Sequence, residues 1–146
     1  MIHSANTSDQ RILIVDNEPE LTDVLKIALE ALAGFTVLSE NNPIQAVAAA
    51  KRFAPHLILM DIKMPGLDGA DVVVRLQAEL SLAETPIVFL TGTVTEPEIV
   101  RHGKTIGGLR FLPKTMRLDA MVACLHDILR AGTATAADVA VESRAA

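Results

Sequence analysis

The sequence predicts a doubly wound α/β domain, with a five-stranded parallel sheet covered by helices on both faces. Three observations carry this. Short apolar runs recur along the chain, and two of them, Arg11-Ile-Leu-Ile-Val-Asp16 and Leu57-Ile-Leu-Met-Asp61, close on an acid. Runs without polar alternation suit strands buried on both faces of a parallel sheet. Segments of helical periodicity separate the runs, and such alternation implies right-handed crossovers with a site at the carboxyl ends of the strands.

The elements follow in order. After the first strand, Pro19 suits a first helical turn, and Leu21, Val24, Leu25, Ala28, Leu29 and Leu32 share one helical face until Gly34 stops the helix. Residues 36–39 make a second strand. Asn42 then acts as N-cap and Pro43 as first helical residue of an Ala-rich helix ending near Phe53. Leu57–Asp61 is the third strand, followed by a Pro65-Gly66 turn and a helix over 69–80. Residues 86–91 form the fourth strand. Beyond Gly92 comes a polar loop and a helix over 97–105, weakened by Gly103. Residues 109–112 make the fifth strand. The last helix covers Leu118–Ala131, with Met121, Cys124, Leu125, Ile128 and Leu129 on one stripe. Residues 1–10 read as a disordered lead-in and 132–146, which are Ala-rich, as a disordered tail or linker, leaving one domain over 11–131.

Composition narrows the function. Half of the 146 residues are hydrophobic, only four are aromatic and all four are Phe, so aliphatic side chains must build the core. The net charge is −5, and the 13 Lys and Arg residues form no basic run, which argues against direct nucleic-acid binding by this domain. A single cysteine, Cys124, excludes an intrachain disulfide and reads as a buried thiol. Neither a signal peptide nor an apolar run near the ~20 residues of a membrane span is present, so a cytoplasmic protein is expected.

In a parallel sheet, Asp16, Asp61, Thr91 and Lys114 all emerge at one edge. Two carboxylates so placed repel unless a cation intervenes, and a hard oxygen site suits Mg²⁺. A lysine facing them adds positive charge, and a threonine hydroxyl can bond an arriving oxyanion; these are the parts that phosphoryl transfer needs, with Asp61 as nucleophile. Taken singly, an Asp at a strand end is more often a helix cap, a Thr an ordinary strand residue and a Lys solvated. The joint placement reverses that balance.

The residues Ile12-Leu-Ile-Val-Asp-Asn-Glu-Pro-Glu20, Leu57-Ile-Leu-Met-Asp-Ile-Lys-Met-Pro-Gly-Leu-Asp-Gly69, Phe89-Leu-Thr-Gly92 and Phe111-Leu-Pro-Lys114 resemble the motifs of two-component response-regulator receivers of the chemotaxis-regulator kind, in order from Arg11 to Ala131. The resemblance implies a flavodoxin-like (βα)5 fold with strand order 2-1-3-4-5. It implies that Asp61 takes phosphate from a kinase phosphohistidine, that Asp16, Asp61 and the backbone carbonyl of Lys63 hold Mg²⁺, and that Lys114 pairs with the phosphoryl group. Thr91 and Phe111 take the switch positions, Phe111 turning inward to fill space that Thr91 vacates. Lys63 and Thr93 take positions that tune the acyl phosphate's lifetime. The domain would act as a signalling module that catalyses only its own phosphorylation and dephosphorylation. A sensor histidine kinase or phosphotransfer protein would be its partner. Output and dimer contacts would use the face built by the fourth helix, fifth strand and last helix.

Two departures stand out. Receivers carry two adjacent acids after the first strand, but here Asn17 follows Asp16, with Glu18 next; an amide oxygen still coordinates Mg²⁺ and Glu18 reaches it through water, so a weakened site is expected. Thr115 follows Lys114 where the family has Pro, so a trans bond is expected there. His3, His56, His102 and His126 show no metal-ligand spacing and read as solvated or loop residues. The loop Asp16-Asn-Glu-Pro19 lacks the phosphate-binding glycines of a flavin or nucleotide binder and the paired-Asp motif of a haloacid-dehalogenase-type phosphatase. The remaining alternative is a pseudo-receiver, an interaction module disabled for phosphorylation by Asn17.

Overall fold

The computed structural model describes residues 10–62, 64, 69–92 and 110–131. Five parallel strands, β1 (Arg11–Val15), β2 (Thr36–Glu40), β3 (Leu57–Asp61), β4 (Ile87–Thr91) and β5 (Arg110–Pro113), lie in the order β2-β1-β3-β4-β5. The helices are α1 (Pro19–Ala33), α2 (Ala46–Phe53), α3 (Gly69–Gln77) and α4 (Leu118–Ala131). The helix expected over 97–105, the turn at Pro65-Gly66 and both terminal segments lie outside the described residues.

Alternate residues of each central strand feed two separate cores. Ile12, Ile14, Leu57, Leu59, Val88 and Leu90 pack against α1 and α4 through Leu25, Leu29, Met121, Leu125 and Ile128. Leu13, Val15, Ile58, Met60, Ile87 and Phe89 pack against α2 and α3 through Ala46, Ala49, Ala50, Val72, Val73 and Leu76. Each Leu or Ile removed from water in this way contributes about 1.5–3 kcal/mol. Ala46, Ala49 and Ala50 of α2 are fully buried in this core, so the Ala-rich segment buries one face despite its small side chains.

Several expectations are corrected. The buried face of α1 is Thr22, Leu25 and Leu29, while Val24 is 58% and Leu32 60% exposed. Six apolar residues span more of the helix than one sheet contact can cover, and the sheet takes the side that includes Thr22. Asn42 caps as expected, its side chain accepting from Ile44 N at 3.1 Å, but the cap opens a 3₁₀ turn, Pro43–Gln45, ahead of α2. Helix α3 stops at Gln77, three residues early, and a 3₁₀ turn at Leu80–Leu82 sends Leu82 into the core while Leu80 is left in water. Cys124 is half-buried, on the flank of the α4 stripe. Gly34 ends α1 in the left-handed conformation (φ 72°), as its position predicts.

Candidate functional site

Strand register assembles the site. Val15 pairs with Met60, so the next residues on β1 and β3, Asp16 and Asp61, leave the sheet side by side. Asp61 pairs with Leu90, which puts Thr91 one residue beyond on β4, and Thr91 pairs with Pro113, so Lys114 follows at the end of β5. Lys114 N donates to Thr91 O at 2.7 Å, fixing the last rung. The four residues predicted to converge thus lie at one edge, and Asp16, Asp61 and Thr91 are all buried.

Lys114 Nζ stands 2.9 Å from Asp16 Oδ2, 3.0 Å from Glu18 Oε1 and 3.3 Å from Asp61 Oδ1. Burial opposes the charge on Lys114, but its close contacts with Asp16 and Glu18 and the field of Asp61 outweigh burial and hold the ammonium above the usual lysine range. The lysine is therefore a fixed positive charge between two buried carboxylates that would otherwise repel.

The two oxygens of Asp16 have different work. Oδ1 accepts from Glu18 N at 3.0 Å, the local turn that a strand-end Asp commonly makes before a helix. Oδ2 is fully buried and, although 2.9 Å from Lys114 Nζ, takes no aligned hydrogen bond: the distance suits an ion pair and the angle does not suit a hydrogen bond. Asp16 thus closes a local turn with one oxygen and keeps the other within ion-pair distance of Lys114 Nζ.

Asp16 Oδ2, with the Asp61 carboxylate beside it, offers two of the oxygens that a hard divalent cation takes. Among the described residues no three acid, His or Cys side chains form a closed cage. A cation here would use two carboxylates plus neutral oxygens and water, the coordination Mg²⁺ prefers. Asn17 is half-buried next to Asp16, while Lys63 and Thr93 lie outside the described residues. Glu18 Oε1 pairs with Lys114 Nζ at 3.0 Å.

Three contributors were not foreseen. Asn41, just past β2, donates from Nδ2 to Asp16 O at 2.7 Å and to Thr22 Oγ1 at 3.0 Å, and Thr22 Oγ1 donates to Pro19 O at 3.0 Å. This part-buried chain pins the loop that presents Asp16. Its one signal in the sequence is a polar residue, Thr22, inside the first helix. Gly69 is the third: a Cβ there would lie 2.4 Å from Asp61 O and 3.0 Å from Ile62 Cα, so the start of α3 packs directly on the backbone of Asp61. At Gly92, among the described residues, a Cβ would meet Lys114 Cδ at an ordinary 3.5 Å.

Phe111 is already in the core, stacked on Phe89 with centroids 5.0 Å apart and planes 25° from parallel. Among the described residues no peptide bond is cis, including Lys114–Thr115. His56 is exposed and accepts from Arg11 N through Nδ1, and His126 is half-buried, tilted against Phe35. His3 and His102 lie outside the described residues.

The family model described as "Response regulator receiver domain" matches residues 12–126. The chain belongs to the response-regulator receiver family. This receiver is 33% identical over 129 residues to the transcriptional regulatory protein TrcR of Mycobacterium tuberculosis, an alignment covering 88% of this chain and 49% of that protein. It is 33% identical over 125 residues to the DNA-binding response regulator MtrA of Mycolicibacterium smegmatis, covering 86% and 53%. It superposes on the crystal structure of a response regulator from Desulfuromonas acetoxidans with a TM-score of 0.72 at 27% identity, covering 83% of this chain and 97% of that one. The chain spans about half the length of the curated relatives it matches.

Receivers are signalling domains rather than classical enzymes; they work with histidine kinases or phosphotransfer proteins, and Mg²⁺ is general to their phosphorylation sites. Family membership does not favour the pseudo-receiver alternative. The expected absence of a nucleic-acid partner is not supported for a whole protein, because a longer relative, of which the match covers 53%, is named as DNA-binding. Among the described residues no helix is long and apolar enough to cross a membrane.

Proposed function

We propose that Asp61 is the phosphoacceptor of this receiver and that a histidine kinase or phosphotransfer protein is the donor. A carboxylate oxygen of Asp61 attacks phosphorus, the P–N bond of the donor phosphohistidine breaks and the imidazole leaves. Water later attacks the acyl phosphate, returning Asp61 and inorganic phosphate, and these are the only reactions the domain promotes. The observation that carries the reading is the sharing of Lys114 Nζ by Asp16 Oδ2 and Asp61 Oδ1 at 2.9 and 3.3 Å, at the carboxyl ends of adjacent strands.

In this reading Mg²⁺, when bound, relieves the repulsion between the carboxylates and the incoming phosphoryl oxygens. Asp16, Asp61 and the Lys63 carbonyl are its proposed ligands, with Asn17 offering an amide oxygen. Lys114 pairs with the phosphoryl group and the Thr91 hydroxyl donates to it. Thr91 and Phe111 carry the response outward, and Lys63 and Thr93 set how readily water reaches the acyl phosphate. The receiver unit is proposed to span 11–131, to work in the cytoplasm and to pass its signal, or dimerise, through the face of β5 and its two flanking helices.

Incubating the protein with acetyl phosphate and Mg²⁺ tests this. A phosphoryl mass adduct is expected in the wild type and absent in Asp61→Ala, and no adduct at any Mg²⁺ concentration would overturn the reading. Asn17→Asp is expected to tighten Mg²⁺ binding, read by calorimetry; an unchanged affinity would remove residue 17 from the ligand set.

A further inference from the structure

Among the described residues three carboxylates stand around Lys114, and they are not equivalent. Asp16 and Asp61 are side chains 0% and 7% exposed, held at strand ends, whereas Glu18 is 61% exposed on the loop outside them. Yet the aligned hydrogen bond from Nζ goes to Glu18 Oε1, at 3.0 Å, and Asp16 Oδ2 receives none. The Glu18 backbone is pinned on both sides, its N–H on Asp16 Oδ1 at 3.0 Å and its carbonyl accepting from Thr22 N at 3.1 Å. Asn17 contributes no charge, so the second negative charge of this loop stands at residue 18, where it meets the lysine.

We propose that Glu18 is a resting-state tether for Lys114, holding the ammonium by an aligned hydrogen bond that must break before Lys114 can pair with a phosphoryl group on Asp61. The inference rests on the phosphoacceptor reading for its consequence, though not for the tether itself. A lysine ammonium has three donors, and a Glu18 oxygen and a phosphoryl oxygen are rivals for one of them. Glu18 also adds a like charge beside the path of an anionic donor. Both effects make it a positioning residue that slows phosphorylation. Because Glu18 is exposed, the effect is small, on the order of two- to fivefold, as for an exposed ion pair. A water-mediated metal role would act in the opposite sense, since neutralising Glu18 would then weaken Mg²⁺ binding.

The full chain and its Glu18→Gln variant decide the matter in two measurements. In the absence of donor, ¹⁵N relaxation of the Lys114 ammonium is expected to show lower order in Glu18→Gln; unchanged order overturns the tether, whether or not Asp61 is ever phosphorylated. With acetyl phosphate at saturating Mg²⁺, the first-order rate of adduct formation is expected to rise about two- to fivefold, with Glu18→Asp between the two. A slower Glu18→Gln variant, or one whose half-saturating Mg²⁺ concentration rises, overturns the proposal in favour of the metal role. The gain should vanish when Lys114→Ala is present as well; a gain that survives there overturns the proposal too. Failure of both proteins to form an adduct would sink the phosphoacceptor reading, and the ammonium order alone would then judge the tether.

Discussion

At the amino-terminal end of β1, Arg11 donates from Nε to Phe53 O at 2.9 Å and from a terminal nitrogen to Ala54 O at 2.7 Å, capping the end of α2, where Ala54 is left-handed (φ 51°). Its backbone exchanges hydrogen bonds with His56, Arg11 N to Nδ1 at 2.9 Å and His56 N to Arg11 O at 2.8 Å. At the other end of the same strand, five residues on, Asp16 Oδ2 is buried without an aligned donor and shares one ammonium with a second buried carboxylate. One end of the sheet spends its polar groups on closing the fold. The other keeps charge in reserve at a cost to stability, which is how a site poised for an incoming group differs from a cap.

The largest expected effect lies at the charged end. Asp61→Asn should abolish the adduct and still raise the urea midpoint, because one of two buried like charges is gone. A lowered midpoint would mean that the bond to Lys114 outweighs the repulsion, and the contrast between the ends would weaken. Gly69→Ala should destabilise by about 1–3 kcal/mol, since its Cβ would strike Asp61 O at 2.4 Å, a backbone atom that cannot swing aside. Gly92→Ala is its control and should stay within about 0.5 kcal/mol in the same denaturation series. Arg11→Ala should cost about 1 kcal/mol in that series while leaving the rate of adduct formation unchanged; a slowed rate would show that the two ends are coupled.

The smallest effect belongs to neither end. Glu30 Oε2 accepts from Val37 N and from Lys26 Nζ, both at 3.1 Å, tying α1 to β2. The Val37 N–H holds the Glu30 carboxyl below its ordinary value of 4.5, with burial opposing and Lys26 assisting. A folded-state value below the unfolded one means that the stabilisation is complete above pH 4.5 and is lost as pH falls through the folded value. Glu30→Gln should therefore flatten the acid limb of a stability-against-pH curve slightly and change nothing at the site.

Legibility followed the range of the interactions. Strand β3 and helix α4 could be read to the residue because continuous apolar runs and a 3.6-residue stripe are local signals. The convergence of Asp16, Asp61, Thr91 and Lys114 could be read because parallel strands put their ends on one edge. Which side of α1 faces the sheet could not, since Val24 and Leu32 carry the same apolar label as Leu25 and Leu29. Nor could the Asn41 bond to Asp16 O, which joins loops 25 residues apart, or the turn of Glu18 toward Lys114, 96 residues away. Gly69 belonged to a motif that could be matched, yet its reason, a contact with Asp61 O, exists only in three dimensions.

Gly69 brings the first turn of α3 directly against the carbonyl of Asp61, and Gly69 N is bonded to Ile62 O at 2.7 Å. A displacement of the peptide behind the carboxylate is handed to the helix without slack. Over its nine residues α3 extends roughly 13 Å from that joint, a rigid arm seated on the backbone of the proposed phosphoacceptor.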